Sequence, residues 1–228
     1  MTRCALVLAL VSILFAPSAE AGWTVGAEGG EHRGYAFLTY SRPLSAWGGG
    51  GLDLWGTASY QYYRVVQATG STDVTAPGIG AGVTYHRRVS ERFWFAAGPG
   101  YEYRWIRRRL PTGGELDEDQ GGVVFQGAAE YRIAERTRLA GTAGLYGATD
   151  WTWFRGSLRQ EITPTLRAGP EIGFQGNAEV RVREIGGVVE IPYGRNWLFL
   201  RAGQATDEYQ GGLEETRPYF SVGVTRSF

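Results

Sequence analysis

The chain has 228 residues and contains no lysine, so 23 arginines balance 23 Asp and Glu residues and the formal net charge is zero. A balanced charge lacks the basic footprint of a nucleic-acid-binding protein, and we expect no nucleic-acid partner. The 35 glycines are about twice the usual ~7% share, and 14% of the residues are aromatic. Because glycine disfavours helix interiors, this composition predicts an all-β protein.

Residues 1–21 are predicted to be a cleaved signal peptide. Arg3 supplies its positive start, Cys4 to Phe15 form an apolar stretch, and Ala19-Glu20-Ala21 gives a cleavage site with small residues. An uncleaved anchor is the alternative, but about 12 apolar residues fall short of the ~20 that a membrane helix needs. Residues 22–228 then form a single exported domain. This domain has no cysteine, and we predict no cofactor for it.

Apolar and polar residues alternate with a period of two along most of this domain, which predicts β-strands. The candidate strands are residues 22–30, 33–42, 51–66, 72–87, 92–106, 121–133, 137–148, 151–159, 165–176, 179–191, 197–206 and 218–228. Each strand with its connection has about 17 residues, and a tilted membrane-spanning strand needs ~9–11. We therefore expect about twelve strands, with about ten or about fourteen as alternatives.

Two architectures produce this alternation. A β-sandwich buries its apolar faces between two sheets, whereas a transmembrane barrel turns them to lipid and encloses its polar faces. Tyrosine and tryptophan cluster near strand ends, as in Tyr60–Tyr63, Tyr101–Trp105 and Trp151–Phe154. Aromatic girdles of membrane barrels lie at such positions. The pattern favours an up-and-down antiparallel transmembrane β-barrel in the outer membrane of a Gram-negative bacterium, in contact with outer-membrane lipid.

The connections also differ in length, as in outer-membrane barrels. We predict short turns near residues 88–92, 134–137, 159–164 and 192–196, and longer polar loops at 107–120 and 206–217. The last segment, Tyr219 to Phe228, alternates and ends in phenylalanine. It resembles the C-terminal signal of bacterial outer-membrane proteins, with Arg226 in a position that is usually aromatic.

Charged and amide side chains are predicted to face the lumen. The candidates are Glu102, Arg104, Glu130, Arg132, Arg155, Arg159, Arg167, Glu171, Gln175 and Glu190. We expect the first four to face one another across one ladder, and Arg155 and Arg159 to meet Arg167 and Glu171. Such residues either fill and brace a narrow lumen or line a polar conduit or a surface for a neutral, hydroxyl-rich ligand. Both interpretations remain open on the sequence alone.

Enzymatic and metal-binding functions have little support. The chain has two histidines, His32 in the first external turn and His86 near the periplasmic end of the fourth strand, and no Gly-x-Ser-x-Gly motif. Their spacing matches no metal site. The acidic stretch Glu115–Asp119 is interpreted as a solvated loop, with a divalent-ion site as the alternative. A lipid-modifying enzyme that uses His86 is the remote alternative to a non-enzymatic barrel.

Three short stretches carry a family resemblance. They are Gly34-Tyr35-Ala36-Phe37 followed by Pro43-Leu44, then Trp153-Phe154-Arg155-Gly156, and then Gly169-Pro170-Glu171-Ile172-Gly173-Phe174-Gln175-Gly176-Asn177 with Arg181 and Gly186 after it. The chain resembles the BcsS family of cellulose-biosynthesis accessory proteins, which are outer-membrane barrels of similar length. The resemblance implies a non-enzymatic role in cellulose or related exopolysaccharide production, with polysaccharide or the synthesis machinery as partners. A structural or small-pore barrel that acts through its loops is the alternative.

Overall fold

The computed structural model describes residues 22–67, 70–210 and 212–226, and these residues form twelve β-strands. The predicted signal peptide and the terminal Phe228 lie outside the described residues. In the part that is described, no helix is long and apolar enough to cross a membrane. The strands are β1 (Gly22–Gly29), β2 (Arg33–Trp47), β3 (Gly50–Gln67), β4 (Gly70–Arg88), β5 (Phe93–Arg109), β6 (Glu115–Ala134), β7 (Thr137–Tyr146), β8 (Trp151–Thr163), β9 (Leu166–Gly176), β10 (Val180–Tyr193), β11 (Asn196–Tyr209) and β12 (Glu214–Arg226).

Each strand pairs antiparallel with its neighbours in the chain, and β1 pairs with β12, so the sheet closes into an up-and-down barrel. The closing ladder runs from Trp23 opposite Arg226 to Gly29 opposite Phe220. The predicted all-β barrel of about twelve strands is confirmed. We call the end where β1 begins and β12 ends the terminal end, and the opposite end the distal end.

Many large apolar side chains point away from the barrel axis, next to polar side chains that point inward. Ile185, Val123 and Phe220 are 72%, 65% and 65% exposed, whereas the adjacent Glu184 and Ser221 are 2% and 8% exposed. Successive residues of a strand face opposite sides of the sheet, so the period-two pattern places these apolar residues outside and their polar neighbours inside. The β-sandwich is therefore excluded, because a sandwich would bury the apolar set.

The turns at the terminal end are short, as predicted. Two residues each connect β2 to β3, β6 to β7, β8 to β9 and β10 to β11. Gly48, Gly49 and Gly194 have φ values of 48°, 83° and 62°, in the left-handed region that glycine adopts without strain. In the β4–β5 turn the Ser90 hydroxyl accepts a hydrogen bond from the backbone N–H of Phe93 at 3.1 Å.

The two long distal loops were predicted wrongly, because both regions are largely strand. Residues 110–114 connect β5 to β6, and residues 210–213 connect β11 to β12. The predicted loop at 107–120 contains charges that face each other across the ladder: Arg107 Nε lies 2.9 Å from Asp117 Oδ1 and Arg109 Nη2 lies 3.1 Å from Glu115 Oε1. Opposite charges in register stabilise a strand pair, so a polar sequence here extends the sheet.

Strand lengths are unequal around the barrel. Strands β3 to β6 have 17 to 20 residues, while β1 has 8 and β7 has 10. Because Val124 of β6 pairs with Tyr146 at the end of β7, residues 115–123 of β6 extend beyond β7. The distal end is therefore tall on the β3–β6 side.

Candidate functional site

The barrel interior is the candidate functional site, because buried charged side chains converge there. At mid-height the Glu184 carboxylate on β10 is almost fully buried. It accepts hydrogen bonds from Arg33 Nη2 on β2, Arg155 Nη2 on β8 and Gln175 Nε2 on β9, each at 2.7 Å. Glu184 thus links the adjacent strands β8, β9 and β10 to β2, which lies elsewhere on the circumference.

Arg155 is the second centre of this cluster. Its Nη2 lies 2.6 Å from Glu28 Oε2 on β1, and its Nε lies 3.4 Å from Glu171 Oε1 on β9. Since β1 and β8 are not neighbours in the sheet, the pair with Glu28 crosses the lumen. Arg201 Nε on β11 lies 3.1 Å from the other oxygen of Glu171. We call the central charge network the eight residues Glu28, Arg33, Arg155, Glu171, Gln175, Glu184, Arg201 and Asp207.

The network contains both signs of charge in near balance. Asp207 joins it through Arg33 Nη1 at 3.7 Å, and the Arg201 guanidinium lies over the Phe199 ring at 4.3 Å from the centroid. Four carboxylates and three guanidinium groups enclosed at one height do not form the single-sign ring of an ion-selective pore. Buried charges persist when each has a partner, so this arrangement braces the barrel walls against one another.

A second charged pair lies beside the network on β5. Arg104 is 3% exposed, and its Nε lies 3.0 Å from Glu102 Oε2, while its Nη1 donates to the Ala76 carbonyl at 3.1 Å. Gly78 and Gly80 of β4 stand opposite these two side chains in register. A Cβ at Gly78 would come within 2.8 Å of Arg104 Cγ, so glycine makes room for the arginine.

An apolar cluster fills the lumen on the distal side of the network. It consists of Tyr63, Val65, Val74, Ala76, Ile106, Trp151, Val180, Val182, Ala205, Tyr209 and Tyr219, which we call the distal apolar layer. The rings of Tyr63 and Trp151 lie 5.6 Å apart between centroids, and β3 approaches β11 across the lumen. The walls meet at this height through inward-facing side chains.

The remaining lumen candidates lie nearer the terminal end. Arg159 Nη1 lies 2.5 Å from Glu190 Oε1. The Arg167 guanidinium lies over the Trp197 ring at 4.3 Å from the centroid. Arg159 therefore pairs with Glu190, while Arg167 stands opposite Glu161 in the ladder, so the predicted contact between Arg159 and Arg167 was wrong.

The predicted ladder between Glu102, Arg104, Glu130 and Arg132 was wrong. The register of β5 and β6 places Glu102 opposite Gly122, so Glu130 and Arg132 lie much nearer the terminal end. This register is set by the tight connection at residues 110–114, which the sequence prediction had treated as part of a long loop. Arg132 is exposed.

The structure brings other predicted residues together. Arg155 contacts Glu171 as expected. Arg155 and Gln175 both donate hydrogen bonds to the carboxylate of Glu184. Glu130 pairs with Arg138 instead, at 2.7 Å between Oε1 and Nη1.

Sequence reasoning missed five of the eight residues of the central charge network: Glu28, Arg33, Glu184, Arg201 and Asp207. The alternation of inward and outward residues along a strand, which we call parity, would have identified some of them. Glu28 alternates with the outward Val25 and Ala27, and Arg201 alternates with the outward Leu200. Glu184 follows Arg181 and Arg183, which face outward, so charges lie on both faces of β10 and the parity there is ambiguous.

The two histidines lie at opposite ends. His32, in the β1–β2 turn, has Nδ1 3.4 Å from the Tyr209 hydroxyl and 3.5 Å from Glu215 Oε2. Burial, followed by the charges of Arg217 and Arg64, lowers the pKa of His32 below its ordinary value. His86 Nδ1 lies 2.9 Å from Asp53 Oδ2 at the terminal end.

Among the residues that the structure describes, no serine, threonine or cysteine side chain is hydrogen-bonded to the ring of His86. The same residues contain no group of three His, Cys, Asp or Glu that could hold a metal ion.

Comparison with protein-family models and with curated proteins gives no match to the sequence. The fold does match solved outer-membrane barrels. The β domain of the Bordetella autotransporter BrkA is 14% identical with a TM-score of 0.61, covering 92% of this chain and 100% of that one. The translocator domain of the autotransporter NalP from Neisseria meningitidis is 9% identical with a TM-score of 0.57, covering 100% and 95%.

LpxR from Salmonella typhimurium is 9% identical with a TM-score of 0.55, covering 91% of this chain and 100% of that one. The KdgM porin in complex with disordered oligogalacturonate is 10% identical with a TM-score of 0.50, covering 91% and 99%. At such identities the shared property is the fold. The chain has the β-barrel fold of Gram-negative outer-membrane proteins.

Proposed function

We propose that this protein is a non-enzymatic outer-membrane barrel with an occluded lumen, which acts through its ends and not as an open channel. The observation that carries this proposal is the filled interior. Val74 and Ala76 in the distal apolar layer have no exposed surface, and Glu171 and Glu184 in the central charge network are each 2% exposed. A water-filled pore would leave such inward side chains accessible.

Conductance in planar bilayers tests this proposal. We expect the purified protein to insert without resolved current steps, because two successive layers of side chains close the lumen. Combined Tyr63→Gly and Trp151→Gly substitutions, with Arg155→Ser, should thin both layers and produce steps. Tyr60→Gly and Tyr101→Gly, which change outward residues, serve as the matched control and should conduct no better than wild type. Stable steps from the wild-type protein would contradict the proposal.

We further propose that the protein supports cellulose or related exopolysaccharide production. The resemblance to the BcsS family supports this role, and the stretch from Gly169 to Asn177 that carries the resemblance supplies two members of the central charge network, Glu171 and Gln175. The KdgM porin, solved with oligogalacturonate, is an example of a glycan ligand on this fold. An accessory role is compatible with an occluded barrel, because an accessory protein can act by docking at one end of the barrel and does not need to pass the polymer through the lumen.

Gene deletion tests the cellular role. We expect the deletion strain to bind less Congo red and calcofluor under conditions of polysaccharide production, and a plasmid copy to restore binding. Complementation with His86→Ala should restore it fully and leave the lipid A mass profile unchanged, because the role is non-enzymatic. Unchanged dye binding after deletion would contradict the role in polysaccharide production, and an altered lipid A profile would favour an enzyme.

A further inference from the structure

The strands β4 and β5 separate at a point on the tall side of the barrel. Their ladder pairs Thr75 with Arg107 and resumes only at Gly78. Ala76 and Pro77 therefore have no partner on β5 in the described ladder. Proline has no N–H to donate to a neighbouring strand, which accounts for an interruption here.

A groove of about 410 Å³ lies over this interruption, and we call it the outer groove. It is lined by two neighbouring rows of outward residues, Asp119, Trp105, Pro77 and Tyr60 in one row and Asp117, Arg107 and Thr75 in the other. Ile106 points inward and is only 4% exposed, yet it also borders the groove. The groove therefore reaches down to the backbone between the strands.

The outer groove lies where the outer surface changes from aromatic to charged. Toward the distal end, the outward residues of β5 are Tyr101, Tyr103, Trp105, Arg107 and Arg109. Outward aromatic rings mark the membrane interface, and outward charges lie beyond the hydrocarbon. The short turns of such barrels lie on the periplasmic side, so the distal end faces the outside of the cell. The groove is thus at the polar, external side of the interface.

The outer groove combines aromatic surface with an unpaired carboxylate. Trp105 and Tyr60 are 43% and 48% exposed, and the Trp105 ring packs edge to face against Tyr103 with 5.2 Å between centroids. Asp119 forms no ion pair among the residues that the structure describes. Sugar rings pack their C–H faces on aromatic rings, and their hydroxyl groups donate hydrogen bonds to carboxylates. These side chains therefore offer the chemistry of a glycan site.

The charge of the outer groove favours an uncharged ligand. Arg107 is the arginine of its lining, and it already pairs with Asp117 at 2.9 Å, which leaves the Asp119 carboxylate in excess. A groove with net negative charge repels phosphate groups, so the phosphorylated inner sugars of lipopolysaccharide are disfavoured. The matching ligand is a neutral chain with many hydroxyl groups.

We propose that the outer groove binds a neutral glycan chain on the outer wall of the barrel. Its residues belong to the four adjacent strands β3 to β6, which span about 14 Å at a spacing of about 4.8 Å, the length of a short oligosaccharide. Trp105 and Tyr60 form the stacking surface, and Asp119 orients the chain through its hydroxyl groups. The choice of an exopolysaccharide glucan as this chain rests on the proposed function.

Isothermal titration with cellohexaose tests this proposal on the full protein in an amine-oxide detergent, which has no sugar headgroup to compete. We expect saturable binding that Trp105→Ala weakens roughly tenfold or more, because the stacking surface is lost. Asp119→Asn should weaken it roughly fivefold, because a charged acceptor is lost. Trp105→Phe should bind with intermediate affinity, since it keeps an aromatic face.

The matched controls are Trp47→Ala and Asp150→Asn. Trp47 is an outward tryptophan at the terminal end that is 50% exposed, and Asp150 is an exposed carboxylate between β7 and β8. Both variants should bind cellohexaose like the wild type. Heat-modifiable migration on gels confirms that each variant is folded.

No binding of cellohexaose by the wild type, or equal binding by Trp105→Ala, would overturn the proposal. Tighter binding of the phosphorylated core oligosaccharide of lipopolysaccharide than of cellohexaose would overturn it in favour of an outer-leaflet glycolipid. Binding is measured on the purified protein, whereas gene deletion tests the role in polysaccharide production. Failure of the groove and failure of the cellular role are therefore distinguishable.

Discussion

The central charge network and the distal apolar layer fill adjacent sections of the same lumen by different physical means. The apolar layer gains stability from area removed from water, which is non-directional and grows with each contact. The network depends on particular pairs, such as Arg155 with Glu184 at 2.7 Å. The two regions should therefore respond differently to substitution. The apolar layer should lose stability in proportion to the side-chain volume removed, whereas the network should be strongly destabilised when a single shared partner is lost.

The largest effect is expected from Arg155→Met. This substitution keeps a long side chain but leaves Glu28, Glu171 and Glu184 without their shared cation, and breaking a buried pair costs about 3–5 kcal/mol. Urea unfolding of the reconstituted barrel, followed by tryptophan fluorescence, measures the change in the free energy of unfolding. A loss of less than about 1 kcal/mol would show that the network does not depend on its partners in this way.

A graded effect is expected in the distal apolar layer. Ile106 is 4% exposed, and Ile106→Ala should lower the free energy of unfolding by about 2–4 kcal/mol, while Ile106→Val should cost about 1 kcal/mol. The same urea titration compares the two variants. A valine variant as unstable as the alanine variant would contradict the graded response. It would mean that the apolar layer depends on the shape of each side chain, as the network depends on particular partners.

Protonation of His32 should affect the apolar layer from its distal side, because the ring contacts Tyr209 of that layer at 3.4 Å. The pKa of His32 is lowered in the folded barrel, first by burial, so the unfolded chain binds the proton more readily. Stability should therefore fall as the pH drops below about 6.5. His32→Gln should make the unfolding midpoint less dependent on pH between about 5 and 7, and an unchanged pH profile would contradict this assignment.

The smallest effect is expected from an exposed distal pair. The side chains of Arg107 and Asp117 are 61% and 68% exposed, and such pairs contribute little because water screens them. Arg107→Gln should change the free energy of unfolding by no more than about 0.5 kcal/mol. This variant is the reference against which Arg155→Met should be compared, since both remove an arginine that is paired with a carboxylate. A similar loss in both would remove the distinction between buried and exposed pairs.

Alternation within single strands predicted most of the fold, because parity along a strand is a local property. It identified twelve strands and correctly turned Phe174 and Val123 outward and Glu171 inward. The partners of the lumen residues were harder to predict, since they depend on register and on the width of the barrel. The contact of Arg155 with Glu28 joins strands that are not neighbours. Pairing rules for adjacent strands do not predict contacts across the lumen.

The loops show a second limit of local reasoning. Residues 115–119 are strongly acidic, and acidic runs are usually solvated loops. Here they extend β6 because arginines of β5 stand opposite them, Arg107 against Asp117 and Arg109 against Glu115. Composition gives the polarity of a segment, whereas the partner strand decides its conformation.

The seam between β1 and β12 has a consequence for how the molecule is assembled. Its ladder is short, and it joins Thr24 to Thr225 by a hydroxyl contact of 2.8 Å between residues 201 positions apart. Among the strand pairs that the structure describes, this one joins the residues farthest apart in sequence, and it therefore has the highest entropic cost of closure. Glu28, which forms an ion pair with Arg155, lies on the same strand β1. Closure of the cylinder therefore brings a third carboxylate to Arg155, in addition to Glu171 and Glu184, which contact it from β9 and β10 without β1.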